Sequence, residues 1–410
     1  MSITKKPRDY QCLFLDMNSF FAAVEQQVQP IYRNKPLGVT PYTGDSGCVI
    51  AASYAAKKIG IRTGTRVGEA KSIYPFVKIV EARPALYMIY HNEIKKVLEN
   101  FSPHFIPLSV DEFVVELDPS EQNFWTAHKL AFKIKKTICK EVGDYLTCSV
   151  GVGPNRFLAK MAAESQKPNG SVILKISDLS NFYSKLQLQD MTGINFRMDR
   201  QLRDLNIYTP LDLYSLSLAD AQRMLKHWGR MWYFRMRGYE VDDITSDTQT
   251  IGHSHVLGPE FRNKKGAIGV LNKLLEKTAY RVRKQGYLAG GINIVIRFSG
   301  GGSFVNTKKV CRFYDDFSFR QSVLGMIENC PWSKNPIFVA VSVFNLSSQK
   351  YQQVSIFKEI EKSKKASEIL DELNDKYGAK TIYNASTYEA INSAPDRIPF
   401  GNVRYDIKHT

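Results

Sequence analysis

Residues 13–15 are a short apolar run suited to a buried strand, and directly beyond Asp16 the spacing becomes helical over 20–27, with Asn18 or Ser19 available as a cap. Asp16 therefore stands where a strand ends and a helix begins. Capping is the ordinary role of an Asp in such a place, so this residue alone identifies nothing. Short strand and turn signals follow around Pro36, Pro41, Gly44 and Gly47, then a helical segment from Ser53. A longer helical pattern covers 85–101. Residues 105–117 are a Val- and Phe-rich strand interrupted by two adjacent acids, Asp111 and Glu112. Helix is expected over 124–142, strand over 145–152, and helix again over 157–164, entered through the turn Gly151-Val-Gly153-Pro154-Asn155-Arg156. That turn lacks the GxxxxGK[ST] spacing of a phosphate loop.

The order strand-helix, strand-strand, helix-strand predicts an α+β fold, one antiparallel sheet of ferredoxin-like kind built from 1–30 and 83–172, with 31–82 as an insertion. Residues 173–240 read as mostly helical, with a tight turn at Met191-Thr-Gly193-Ile-Asn195 of the sort that approaches DNA phosphates. An acidic link within 241–249 leads to a second small α+β unit, 250–350, with the order strand, helix, strand, strand, helix, strand. The last part, 351–410, is a tail holding an amphipathic helix near 363–377 stopped by Gly378.

Charge sharpens this picture. The chain carries a net +16, and residues 251–350 hold 15 lysines and arginines against five acids, a net +10. That concentration over folded-looking sequence points to a polyanion, nucleic acid first and an acidic membrane surface second. No apolar run reaches the length of a membrane span, and the basic N-terminus has no apolar core behind it, so neither a span nor a signal peptide is expected and a cytoplasmic or nucleoid location is. The six cysteines form no CxxC pair, and His253 and His255 lack a third ligand, so neither a disulfide framework nor a zinc site is expected.

Three places carry chemistry. In a flat strand Asp111 and Glu112 would point to opposite faces and one would be buried, a cost that a hairpin or bulge turning both toward one ion relieves. With Asp16 they make three carboxylates at the ends of neighbouring strands, a site for two Mg²⁺ ions serving in-line phosphoryl transfer. Tyr54 and Lys57, i and i+3 on one helix, and Arg156 and Lys160, i and i+4 on another, can face an anionic ligand.

Leu15-Asp16-Met-Asn-Ser-Phe20-Phe21-Ala-Ala-Val-Glu25, Ser53-Tyr54-Ala-Ala-Lys57, Gly60-Ile-Arg-Thr-Gly64, Ser109-Val-Asp111-Glu112, and Ser149-Val-Gly-Val-Gly-Pro-Asn-Arg-Phe-Leu-Ala-Lys160 with Lys167-Pro-Asn-Gly170 together resemble the Y-family DNA polymerases of DinB/UmuC type. The resemblance runs in order from about residue 10 to 350. It implies an error-prone translesion polymerase of the damage (SOS) response, acting on primer-template DNA and dNTPs without a proofreading exonuclease. It also implies a palm (1–30, 83–172), fingers (31–82), thumb (173–240), linker (241–249) and little finger (250–350). Asp16, Asp111 and Glu112 would ligate Mg²⁺ with the Met17 carbonyl. Phe20, Phe21, Tyr54, Lys57 and Lys160 would bind the nucleotide, Phe21 as the gate that leaves no space for a 2′-hydroxyl. Gln353-Val-Ser355-Ile356-Phe357 is similar to the bacterial sliding-clamp motif. The chain departs from the family at Ala55 and Lys57, where Glu and Arg are usual, at Asn18, where Asp is common, and at Ile50, a roof position often smaller. Two rivals stand beside this reading: a clamp-tethered DNA-binding scaffold without activity, and a nucleotidyl cyclase using a related sheet and two metals.

Overall fold

Strand β1 (Cys12–Met17) is buried along its whole length, and the first unit is laid out around it. Its sheet also contains β5 (Phe105–Pro107), β6 (Glu112–Glu116), β7 (Cys148–Gly153) and β8 (Ser171–Ile173), in the order β5-β6-β1-β7-β8. β1 lies between two antiparallel partners and is covered by helices on both faces, and this second feature explains why it reads as an unbroken apolar run rather than an alternation. Leu13, Leu15 and Met17 pack on one face with α1 (Phe20–Val28), α4 (Pro84–Glu99) and α5 (Phe124–Thr137). Cys12 and Phe14 face the other way, toward α6 (Arg156–Ser165). The sheet departs from the expected all-antiparallel pattern at β8, which pairs with β7 in parallel. The computed structural model describes residues 6–242, 249–349, 358–378 and 381–394.

Two expectations near β1 and β6 resolve differently from one another. The interruption at Asp111 and Glu112 is a hairpin, β5 pairing antiparallel with β6 across the turn 108–111. The expected helix cap is absent. The Asn18 side chain turns instead to two groups beside or on β7, donating to Thr147 Oγ1 (3.1 Å) and accepting from Ser149 Oγ (2.9 Å). Ser19 takes the cap position in the left-handed region, φ 50°, and makes no side-chain cap bond.

The insertion forms its own three-stranded sheet, β3-β2-β4, from β2 (Leu37–Thr40), β3 (Ala51–Ala52) and β4 (Lys78–Glu81), with α2 (Tyr54–Lys58) and α3 (Val67–Ile73). The rest of the unit is helical as expected: α7 (Leu179–Tyr183), α8 (Phe196–Asp204), α9 (Pro210–Ser215) and α10 (Leu218–Arg235) share a core through Tyr183, Leu202, Leu213 and Trp232. Gly193 enters α8 at φ +98°, a conformation that side chains other than glycine rarely adopt.

The second unit is a four-stranded antiparallel sheet, β11-β10-β12-β9, made of β9 (Thr250–Val256), β10 (Tyr287–Phe298), β11 (Ser303–Phe313) and β12 (Pro336–Phe344). Ile292, Ile294, Ile296, Val339, Val341 and Val343 are buried under α11 (Lys264–Lys284) and α12 (Asp316–Ile327). The opposite face carries Lys309, Arg297, Thr307 and Ser254, partly or wholly exposed. Residues 358–394, expected as a separate tail, belong to this unit. Helix α13 (Lys358–Tyr377) docks by polar contacts: Ser363 Oγ donates to Asp315 (2.8 Å), Ser367 Oγ accepts from the Asp316 amide (3.1 Å), and the buried Arg283 links Asp316 (3.3 Å) and Asp371 (2.5 Å). Lys273 and Lys277 donate to the carbonyls of Ile391, Ser393 and Ala394, and Lys265 pairs with Glu389. Four of the basic residues read as polyanion contacts are thus engaged inside the unit.

Removing one partner of a buried charge network strands the others, at about 3 kcal/mol or more. Arg283→Ala therefore raises amide exchange throughout α13 in the full chain while exchange in β1 and β7 stays as it was. Unchanged protection of α13 would contradict the anchoring role given to Arg283.

Candidate active site

Antiparallel pairing of β1 with β6 sets Asp16 directly opposite Glu112, as Phe14 is set opposite Val114. Residues of one parity share a face, and Phe14 and Val114 both pack toward α6. Asp16 and Glu112 therefore emerge together on the α6 side, at the end of the two strands. Asp111 lies one residue earlier, in the hairpin turn, where its carbonyl accepts from the Met17 amide (2.9 Å) and its carboxylate from Ser109 Oγ (2.6 Å). His91 on α4 contacts the Val110 carbonyl through Nδ1 (2.9 Å), fixing the turn from behind. Backbone pairing thus brings Asp16 to the adjacent acids Asp111 and Glu112, which lie far from it in the chain.

Two lysines answer the negative charge. Lys160 reaches Glu112 Oε1 (2.5 Å) with its ammonium above the Phe14 ring (5.3 Å), and Lys167 reaches Asp16 Oδ2 (2.7 Å). The approach of α6 depends on Gly151, because a Cβ there would sit 2.0 Å from the Ala159 carbonyl oxygen. The glycine-rich turn is accordingly a packing device and not a nucleotide loop. Lys167, named from the sequence only within the Lys167-Pro-Asn-Gly170 motif and without a role, is the site residue that pattern reasoning missed. Its signal was the Lys-Pro-Asn-Gly motif itself. Arg156 goes the other way: it contacts Glu116 (3.5 Å), Glu240 (3.7 Å) and the Asp242 carbonyl (3.1 Å), so it does not share a ligand with Lys160 as expected.

Tyr54 and Lys57 share one face of α2 as their spacing predicts, the Lys57 ammonium 4.5 Å from the ring centre. Tyr54 Oη lies 3.4 Å from Asn18 Oδ1. Burial pushes the Tyr54 hydroxyl up, with the Asp16 charge adding to it, and burial together with the charge of Lys167 pushes the Lys57 ammonium down. The two groups thus sense the carboxylate cluster. Phe20 and Phe21 begin α1 and are both buried. Ile50 is partly buried against the first unit's core.

Asp16 and Asp111 are held away from their ordinary state. Burial raises Asp16, with Lys167 opposing and Glu112 reinforcing the rise. Asp111 is pushed up to about 6, by burial first and then by the charges of Glu112 and Asp16, against the Ser109 hydrogen bond. Among the described residues no three Asp, Glu, His or Cys side chains stand in a geometry that could hold a metal ion. The donors nonetheless suit a hard divalent cation, since the set is all oxygen and ammonium groups already stand beside two of the three carboxylates.

The matches to known proteins are consistent across the chain. The impB/mucB/samB family model matches residues 15–164, and the model of that family's C-terminal domain matches 248–356. "DNA polymerase IV" of Pelotomaculum thermopropionicum is 30% identical over 383 residues, covering 91% of this chain and 94% of that protein. "DNA polymerase IV" of Moorella thermoacetica is 30% identical over 385 residues, covering 92% and 96%. A solved structure titled "Y-family DNA polymerase chimera Dbh-Dpo4(243-245)-Dbh" superposes with a TM-score of 0.70 at 23% identity, over 82% of this chain and 98% of that one.

The raised Asp111 sets a direction for stability. Its carboxyl titrates near 6 when folded and near ~3.9 when unfolded, so between these values the folded chain holds the proton more tightly. Stability then falls as pH rises through that window when no cation is bound. Asp111→Asn, which keeps an oxygen for Ser109, removes the fall and raises the melting temperature at pH 7.5 in chelator, an effect on the order of 2 to 3 kcal/mol. An equal or lower melting temperature for the variant would contradict this account of a carboxylate raised by burial and by its charged neighbours.

Proposed function

Because this chain belongs to the Y family of DNA polymerases, the DinB/UmuC type, and is a DNA-directed DNA polymerase of translesion synthesis, we propose that Asp16, Asp111 and Glu112 form its catalytic centre for nucleotidyl transfer. The observation that carries this reading is the cross-strand pairing of Asp16 with Glu112, with Asp111 joined to Met17 beside them. The three carboxylates, with the Met17 carbonyl, would hold two Mg²⁺ ions. Bound there, such a pair supplies charge neutralisation for a 3′-oxygen nucleophile and a pyrophosphate leaving group.

This chain's own side chains do the rest. Tyr54 and Lys57 present a hydroxyl and an ammonium to the triphosphate, and Lys160 and Lys167, freed from Glu112 and Asp16, complete a cationic edge that stabilises charge as it develops. Lys57 acts as a point charge where a guanidinium would grip bidentately, which predicts weaker orientation of the phosphates. Phe20 and Phe21 line the sugar side, with Phe21 as the gate against a 2′-hydroxyl.

The domain roles follow the same reading. Residues 1–30 and 83–172 are the palm, 31–82 the fingers, 173–240 the thumb and 250–350 the little finger. The open sheet face of the second unit, with Arg297 and Lys309 among Ser and Thr, grips duplex phosphates without reading sequence, so binding weakens steeply with salt. Gln353, Ser355, Ile356 and Phe357 lie outside the described residues, and the proposal that they enter a pocket of the bacterial sliding clamp rests on sequence alone. Cytoplasmic action, induction with the SOS response and synthesis without a proofreading exonuclease belong to the same proposal. Among the described residues no helix is long and apolar enough to cross a membrane. A nucleotidyl cyclase, the enzymatic alternative, is not supported by the relatives.

Primer extension on undamaged and damaged templates tests the centre. Asp111→Ala lowers extension with Mg²⁺ by on the order of 10³-fold, and chelation abolishes parental extension; a variant extending at the parental rate overturns the assignment. Deleting 353–357 reduces synthesis on clamp-loaded templates and leaves distributive synthesis intact. Equal loss on both templates would make that segment structural.

A further inference from the structure

Beneath Phe21 lies a closed set of contacts between α1 and α4. The Phe21 ring stacks on the Tyr87 ring, centroids 4.5 Å apart and 23° between planes. Tyr87 is 1% exposed, and its hydroxyl donates to Glu25 Oε1 at 2.8 Å. Glu25, 2% exposed, also receives Arg83 on both oxygens, Nε at 3.0 Å and Nη2 on the second. Phe21 and Glu25 are i and i+4 on α1, while Tyr87 lies four residues after Arg83, at the start of α4. Successive turns of two helices are thus joined by a ring stack at one level and a charged clasp at the next.

Packing alone does not account for this arrangement. An ionised carboxylate buried in an apolar core loses solvation that its partners only partly restore, and apolar side chains of equal volume would join two helices as well or better. What the carboxylate adds is direction. It fixes the Tyr87 hydroxyl, so the Tyr87 ring can neither rotate nor slide from under Phe21. A steric gate discriminates only by the free energy needed to move its ring. A ring with a yielding support recoils and admits the extra oxygen, whereas one backed by a close-packed, anchored neighbour does not.

We propose that Glu25, with Arg83, is a positioning residue for sugar selectivity: it anchors Tyr87 as the rigid support of Phe21. The inference rests on Phe21 being the gate, and the Glu25 clasp acts on choice of nucleotide without touching the reacting atoms. Arg83 also stands where the chain returns from the 31–82 insertion to α4, so the clasp ties that return to the gate's support.

Single-nucleotide incorporation with matched dNTP and rNTP, giving kcat and KM for each, separates the outcomes. Tyr87→Phe keeps the ring and the Glu25–Arg83 pair but removes the hydroxyl; Glu25→Gln weakens the clasp. Both should lower the dNTP-to-rNTP selectivity about tenfold, the scale of a lost hydrogen bond to a charged group, by raising rNTP kcat/KM while dNTP kcat/KM stays within about twofold. In a Phe21→Ala background neither substitution should lower selectivity further, since the supported ring is gone. If Phe21→Ala alone leaves selectivity unchanged, the gate reading itself fails. If Phe21→Ala opens the gate while Tyr87→Phe does not, or if dNTP and rNTP use fall together, the clasp is structural and the inference is overturned. Tyr87→Phe carries the test if Glu25→Gln does not fold.

Discussion

Like charges crowded at one end of a sheet repel, and the first unit holds three of them there. Asp16 and Glu112 face each other across a strand pair, with Asp111 in the adjoining turn. Desolvation and mutual repulsion raise Asp111 to about 6, a direction opposite to stability at neutral pH. Lys160 and Lys167 offset part of this repulsion. The site is therefore a local conflict that is relieved by positive charge, and the same conflict favours cations there.

A conflict of this kind persists only in a frame that cannot relax. β1 supplies that frame, buried on both faces and paired on both edges. α6 is drawn against the sheet where Gly151 leaves room for it, and this closeness sets the reach of Lys160. Asn18, released from capping, joins the end of β1 to the hydroxyls of Thr147 and Ser149 and meets Tyr54 of α2. The residues proposed to face the nucleotide are thus referenced to one buried strand.

The second unit shows that net charge and available charge are different quantities. Of its many basic residues, Lys265, Lys273, Lys277 and Arg283 are bonded to carbonyls and carboxylates of the unit's own later segments. The cations left facing solvent include Arg297 and Lys309 on the open sheet face. A polymerase that tracks many sequences needs such a surface to be positive, polar and unspecific, and a strand face with exposed Lys, Arg, Thr and Ser meets that requirement.

Local pattern alone sufficed for much of this protein. The apolar run before Asp16, the helical spacing after it, the two sheets with their helices, and the carboxylate, tyrosine and lysine positions could be read from period and motif, because strand and helix periodicities are properties of neighbouring residues. The Tyr54–Lys57 face and the hairpin at Asp111 followed the same rule. Partner choice did not. Lys160 and Arg156 have matching spacing on one helix, yet one meets Glu112 and the other Glu116 and Glu240; Asn18 abandons its cap; Lys167 joins Asp16; and the described residues of the tail, within 358–394, fold onto α11 and α12. Each of these is decided by which groups come within about 3 Å after the chain has closed on itself, and electrostatic and hydrogen-bond energies depend on that distance and on burial, neither of which is encoded in sequence spacing.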